Sequence, residues 1–210
     1  MKLYGFCCFG TNITNPRIST PSLREIGPHA LRPFNIATPL GSNFAFVDES
    51  SNPLPIKRLE GVDVQATNTD AGAQVAIAEL LLMVRYQPRP TGEFRRILVT
   101  GATTLVANTW TTVPLTFTDV LPMGVYAVVG MQAFGATLYA ARLSFPGSGN
   151  GYRPGVPCVQ TVGQRVPAEM EYMDLGEWGR FNQASLPVAE CLATAGDTAQ
   201  SFWLDLIKVT

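Results

Sequence analysis

The single histidine is the natural starting point for nucleophilic or acid–base chemistry. His29 lies between Pro28 and Ala30, inside a proline-rich segment. A catalytic triad would need it beside a serine or cysteine nucleophile delivered from elsewhere in the chain. No Gly-x-Ser-x-Gly elbow occurs in the sequence to present such a nucleophile. The pattern favours a solvent-exposed or hydrogen-bonded histidine, and the chain is predicted not to be an enzyme.

Four carboxylates form the one acidic cluster of the sequence: Glu169, Glu171, Asp174 and Glu177. On an extended strand the first two would share a face, where they could bind a divalent cation or act as an acid–base pair. An exposed loop edge explains the same residues and is the interpretation we favour.

The cysteines Cys7, Cys8, Cys158 and Cys191 show neither the spacing of a disulfide framework nor that of a zinc site. They are expected to be free thiols in a reducing compartment. The sequence therefore predicts no metal, no cofactor and no small-molecule substrate.

Charge is scarce in this chain. Charged residues make up 15% of it, against about 25% in ordinary soluble domains. Three lysines stand against twelve arginines, and interface cores are similarly poor in lysine and rich in arginine. This composition favours contact with copies of the chain over a fully hydrated surface, with a large, weakly charged monomer as the alternative.

The net charge of −1 gives no electrostatic footprint for nucleic acid or acidic membranes. Arg85, Arg89, Arg95 and Arg96 cluster near one turn, where they could touch a phosphate backbone or, as we favour, pair with carboxylates across an interface. Nucleic-acid contact thus stays open. No apolar run approaches the roughly 18 residues of a membrane span.

Residues 1–42 differ from the rest of the chain. Within them Pro16, Pro21, Pro28, Pro33 and Pro39 recur every five to seven residues. Each proline removes a backbone donor and biases its predecessor toward extended geometry. The segment is predicted to be an extended N-terminal arm, with a disordered tail as the alternative. Residues 43–210 are predicted to form the globular domain.

Short β-type runs dominate the remainder, most clearly between Phe94 and Phe145. β-Branched and aromatic residues alternate there with polar ones, and Pro and Gly mark the turns. The chain ends on a further amphipathic strand, residues 201–209, in which Phe202, Leu204 and Leu206 face away from Trp203. Nine or ten strands predict an all-β fold, a single jelly-roll-type β-sandwich. Residues 74–84 fit a strand or a helix.

The chain resembles jelly-roll capsid proteins of viruses and bacteriophages in three segments, Val113–Phe117, Leu121–Gly130 and Ala140–Gly147, taken together with the N-terminal arm and the terminal strand Phe202–Leu206. The resemblance covers about a third of the chain. It implies a coat subunit whose sandwich forms the shell while the arm ties subunits together. The expected location is then the virion, assembled in the host cytoplasm, and the expected partners are copies of the chain and other virion proteins.

Four aromatic residues are the candidate interface anchors, with the core as the alternative for each: Tyr152, Trp178, Phe181 and Trp203. The rival function is a lectin-like or carbohydrate-binding jelly roll, as on a phage tail or fibre. In that case the loop 146–157 would hold the ligand, with Tyr152 and Trp178 stacking on sugar rings.

Overall fold

The computed structural model describes residues 1–9, 12–22, 47–48, 53–73, 77–83, 87–148, 155–157 and 176–210. Contacts between residues group the chain into two compact units. Unit 1 comprises residues 1–85 and 167–173, and unit 2 comprises residues 86–166 and 174–210. The contacts thus divide the chain near residue 85; the boundary predicted at residue 42 lies outside the described residues and stays a prediction.

Unit 1 is built from short antiparallel strands. They are β1 (Lys2–Phe9), β2 (Ile13–Ser19), β3 (Val47–Asp48), β4 (Leu54–Pro55), β5 (Asp63–Asn68) and β6 (Ile77–Met83). β1 pairs along its length with β6 and, over shorter stretches, with β3 and β4, while β2 pairs with β5. Leu3, Ile18 and Ile56 are buried together as the centre of this unit.

The strands β1 and β2 lie within the segment predicted to be an arm. Both are extended, as the prolines suggest, and both are paired in sheets. The tail of that segment, together with His29, lies outside the described residues, so the arm stays a prediction. The ambiguous stretch 74–84 contains β6, so the strand interpretation is correct for residues 77–83.

Glu60 links two segments of unit 1 through hydrogen bonds. Its carboxylate accepts hydrogen bonds from the backbone N–H of Ser22 and from that of Lys57, the latter at 2.8 Å. Partial burial by itself would raise the pKa of Glu60. The backbone N–H groups of Ser22 and Lys57, aided by the hydroxyl of Thr20, outweigh that effect and lower the pKa to about 2.

Unit 2 contains the longer strands. They are β7 (Glu93–Gly101), β8 (Thr111–Pro114), β9 (Thr116–Phe117), β10 (Val125–Phe134), β11 (Leu138–Ser144), β12 (Gly155–Pro157), β13 (Gly179–Asn182), β14 (Val188–Ala193) and β15 (Gln200–Lys208). One sheet has the order β13-β10-β15-β7-β9 and the other the order β12-β11-β14-β8.

The pairing of these strands is nested. Early strands pair antiparallel with late ones, as β7 with β15, β8 with β14, β10 with β13 and β11 with β12. The resulting long hairpin is rolled up, because β10 also pairs with β15 and β11 with β14. Eight strands in two four-stranded sheets with this connectivity form a jelly roll. The predicted all-β, jelly-roll-type fold is therefore confirmed, with β9 as a short addition beside β7.

The two sheets of unit 2 face each other across an apolar core. A Cβ on Gly101 of β7 would overlap Cγ1 of Val113 on β8. Likewise a Cβ on Gly179 of β13 would lie 2.6 Å from the ring of Phe145, just after β11. Phe202, Leu204 and Leu206 of β15 are fully buried, as their predicted orientation requires. Burial of each such side chain contributes about 1.5–3 kcal/mol to the stability of the folded state.

One predicted strand is divided. The alternation between residues 110 and 118 indicates a single strand, but β8 and β9 belong to different sheets. Between them Leu115 carries the chain across the edge of the sandwich, with its side chain buried. Pro114 precedes this crossing and cannot donate a ladder hydrogen bond, which explains the break.

A substitution at Gly101 tests the packing between the sheets. We expect Gly101→Ala to lower the free energy of unfolding by about 1–3 kcal/mol, because the added methyl group overpacks the contact with Val113. Gly196→Ala is the control, since its Cβ meets nothing nearer than the Leu105 carbonyl oxygen at 3.8 Å. Denaturant unfolding measures both, and equal stabilities of the two variants would contradict the packing.

The Glu60 contacts predict a pH dependence within unit 1. The folded pKa of about 2 lies below the ordinary 4.5, so the ionised carboxylate stabilises its contacts above about pH 4.5, and this is lost as the pH falls through about 2. Glu60→Gln should remove the protection of the Ser22 and Lys57 amides at neutral pH. Hydrogen exchange measures the protection of these two amides, and Glu93→Gln, which removes an exposed carboxylate of unit 2, is the control. Unchanged protection in Glu60→Gln would refute the assignment.

Candidate interaction surface

The outer face of the sheet β13-β10-β15-β7-β9 is the side turned away from the core of unit 2. Ile97 and Val99 of β7 are buried, so Leu98 between them points outward. Leu98 is paired with Trp203 of β15, and Trp203 is paired with Gln132 of β10. These residues form one row across the sheet, in which Trp203 is 38% exposed.

The next row along the same face is charged. Arg96 of β7 is directly opposite Asp205 of β15, and the guanidinium donates two hydrogen bonds to the carboxylate, at 2.6 and 3.0 Å. Gly130 of β10 completes the row, and a Cβ there would lie 3.0 Å from the Asp205 carboxylate. The glycine thus leaves space for the ion pair. Such fork-to-fork geometry orients both groups firmly.

Phe94 ends the face at the start of β7. Its ring is 48% exposed, and the guanidinium of Arg89 lies 5.5 Å from the ring centroid. Together, Phe94, Leu98 and Trp203 flank the Arg96–Asp205 pair with apolar surface. A paired arginine flanked by aromatic and apolar side chains is a composition that is typical of protein interaction surfaces. We call these five residues the β7–β15 face.

A second aromatic–arginine group lies on the other sheet. Arg142 of β11 is paired with Glu190 of β14, and its Nε donates to the carboxylate at 2.6 Å. The same guanidinium lies over the ring of Trp110 at 4.0 Å from the centroid. Trp110 is 39% exposed. The cation therefore holds an exposed indole against the sheet through a cation–π contact.

The four predicted anchors have different fates. Trp178 and Phe181 are buried, at 5% and 4% exposure, and the Phe181 ring stacks on Tyr126 with centroids 5.8 Å apart. Their positions match the core alternative, and little of either side chain is left for a partner. Trp203 lies on the β7–β15 face. Tyr152 lies outside the described residues.

The residues considered for chemistry are not brought together in the described part of the chain. The Glu177 carboxylate accepts hydrogen bonds from the Arg180 guanidinium, with 2.7 Å between Nε of Arg180 and Oε1 of Glu177, while the rest of the acidic cluster lies outside the described residues. Cys191 is a buried free thiol, and burial, with a smaller effect of Asp197, raises its pKa to about 12. Such a thiol is a poor nucleophile.

Two further features concern the described ranges, metal-ligand clusters and membrane-spanning helices. Among those residues no group of three or more His, Cys, Asp or Glu side chains could hold a metal ion. Within the same ranges no helix is long and apolar enough to cross a bilayer.

Several residues of these two surfaces were not predicted from the sequence. Phe94 and Leu98 share a face with Arg96 by simple alternation, so the period of β7 contained the signal. Trp110 and Arg142 are far apart in the sequence, and only the pairing of the strands brings them into contact. Two of the predicted basic-cluster arginines do pair with carboxylates, Arg95 with Glu93 and Arg96 with Asp205, but inside unit 2.

Comparison with known proteins adds little. No protein-family model matches the sequence, and no curated protein matches it significantly. Among solved structures, the major capsid protein P2 from bacteriophage PM2 is similar with a TM-score of 0.28 and 10% identity, over 100% of this chain and 89% of that one. A TM-score this low carries no argument, so the jelly roll is assigned from its own strand pairing.

The Arg142 group yields a stability prediction. Arg142→Gln removes the ion pair with the partly buried Glu190 carboxylate and also removes the cation–π contact with Trp110. We expect a loss of about 1–2 kcal/mol in the free energy of unfolding. Glu190→Gln keeps the cation over Trp110 and should lose less. Urea unfolding followed by tryptophan fluorescence measures both, and a reversed order would contradict the arrangement.

Proposed function

We propose that this chain is a structural virion protein, a coat subunit that assembles with copies of itself through the surfaces of its jelly roll. The observation that carries the proposal is the β7–β15 face, where apolar and aromatic side chains surround an internally neutralised ion pair. Such a surface loses little on desolvation, because its charge is already paired and its remaining groups are largely apolar.

Composition supports the same function. A hydrated monomer keeps its surface soluble with lysine and glutamate, and this chain has only three lysines. Closed symmetric assemblies cover sheet faces and strand edges that would otherwise invite aggregation. The part of the predicted arm, residues 1–42, that is not paired within unit 1 would then tie neighbouring subunits together. The proposed location is the virion, and contact with the genome stays open.

The other functions that jelly rolls serve fit less well. Cupin-type sites use several histidines as metal ligands, and this chain contains one. The lectin-like alternative assigned sugar stacking to Tyr152 and Trp178. Trp178 is 5% exposed, which leaves no ring face for a sugar. The alternative therefore rests on the loop 146–157 without that tryptophan.

Assembly is the direct test of the proposal. Size-exclusion chromatography with light scattering, followed by negative-stain imaging, should show pentamers, hexamers or closed particles. The fraction of the chain in these assemblies should increase with protein concentration. A monodisperse monomer at every concentration, combined with saturable binding to a glycan array, would support the lectin-like alternative instead.

The β7–β15 face can be tested by one substitution. Trp203→Ser should raise the protein concentration at half-assembly about tenfold, as expected for a truncated interface anchor. Leu59→Asn is the control, because Leu59 is 96% exposed and its positive φ of 65° suits asparagine. Light scattering measures both. Equal assembly of Trp203→Ser and wild type would exclude this face as the contact surface.

A further inference from the structure

The loop between β9 and β10 exposes two large apolar side chains three positions apart in sequence. Val120 is 96% exposed and Met123 is 82% exposed. Asp119 is the only charged residue between Thr118 and Gly124. We call residues 120–123 the tip. Single exposed apolar residues are ordinary. A charge-poor tip that exposes two apolar side chains almost completely to water is a feature that a partner would cover.

The tip is held to the body of unit 2 by side chains from other elements. Nε2 of Gln183 donates to the carbonyl oxygens of Leu121 and Pro122, and Oε1 of Gln183 accepts from the N–H of Gly124 at 3.4 Å. Tyr126 donates its hydroxyl hydrogen to the same Pro122 carbonyl at 2.7 Å. The exposed side chains therefore stand on a fixed backbone.

These anchors reach into the core. Tyr126 is fully buried, and its ring stacks on Phe181 of β13. Gly124, at the base of the tip, has a φ of 155°, and a Cβ there would overlap the carbonyl oxygen of Thr210. The chain can make this turn only with glycine. A loop ordered in advance pays little conformational entropy when a partner binds it.

The size of the tip indicates what kind of partner it fits. Two side chains provide far less than the roughly 800 Å² per partner that a stable one-to-one complex buries. A contact this small is useful where it is repeated many times, as among identical subunits whose other surfaces also touch. The low charge of the tip also suits a partner surface as charge-poor as this chain's own.

We propose that the tip is an interaction element whose partner is a second copy of this chain. The choice of partner rests on the proposed function, whereas the exposure and anchoring of the tip do not. Burial of Val120 and Met123 between subunits would add apolar contact to an assembly that is also joined by other faces. The Gln183 hydrogen bonds would hold the backbone that carries both side chains in a fixed position.

The test compares two double variants of the full chain. Val120→Ser/Met123→Gln makes the tip polar, and Val120→Ile/Met123→Leu keeps it apolar. We expect the polar variant to raise the concentration at half-assembly about tenfold, with the thermal midpoint unchanged, and the apolar variant to assemble like wild type. Gln183→Ala, which leaves the tip apolar and removes its anchor, should fall between them.

Oxidation by peroxide gives a second readout that needs no variant. Met123 should be oxidised in the separated subunit and protected in the assembly, while the buried Met131 is protected in both. Two results would overturn the role of the tip and leave the proposed function standing, provided that the wild-type chain assembles. One is a polar variant with the same concentration at half-assembly as wild type, and the other is a Met123 that peroxide still oxidises in the assembly. A wild-type chain that never assembles would overturn both. Binding of that monomer to phosphatidylglycerol vesicles, lost in the polar variant, would assign the tip to a lipid surface instead.

Discussion

Strand β15 holds the jelly roll together because it pairs along nearly its whole length on both edges, with β7 on one side and β10 on the other. Its inward side chains, Phe202, Leu204 and Leu206, are fully buried, and its outward side chains Trp203 and Asp205 form the middle of the β7–β15 face. It is also the last strand of the chain. The roll can therefore close only when residues about a hundred positions apart meet, and such non-local pairing makes folding slow relative to helical domains.

The same pairing determines what the outer surface offers. Because β7 and β15 are in register, Arg96 meets Asp205 and Leu98 meets Trp203, so charge and apolar area alternate in rows across the sheet. Gly130 on the neighbouring strand leaves space for the carboxylate. On the opposite sheet the Arg142–Glu190 pair places a cation over Trp110. In both places arginine is neutralised within the unit, which leaves aromatic surface available without an unpaired charge to desolvate.

Much of unit 2 was predictable from local pattern, and the candidate surface only in part. The alternation in residues 201–209 correctly assigned Phe202, Leu204 and Leu206 to one face and Trp203 to the other, because a strand has a strict period of two. Alternation could not separate Trp178 from Trp203 as core and surface, since Trp178 immediately precedes the short strand β13. Nor could it divide residues 110–118 between two sheets, because the change of sheet at Leu115 depends on the edge of the sandwich and leaves the residue pattern intact.

By itself the sequence determined the strand-rich character of the chain, the face that each long strand buries and the poverty of its surface in charge, because these follow from residue type and local period. Only the tertiary structure decided which strands are neighbours, and therefore that the strands of residues 93–208 form a jelly roll while those of residues 2–83 pair among themselves. Register between distant strands is a property of two segments at once. For that reason the Arg96–Asp205 pair, the cation over Trp110 and the anchoring of the 120–123 tip by Gln183 became visible only in three dimensions.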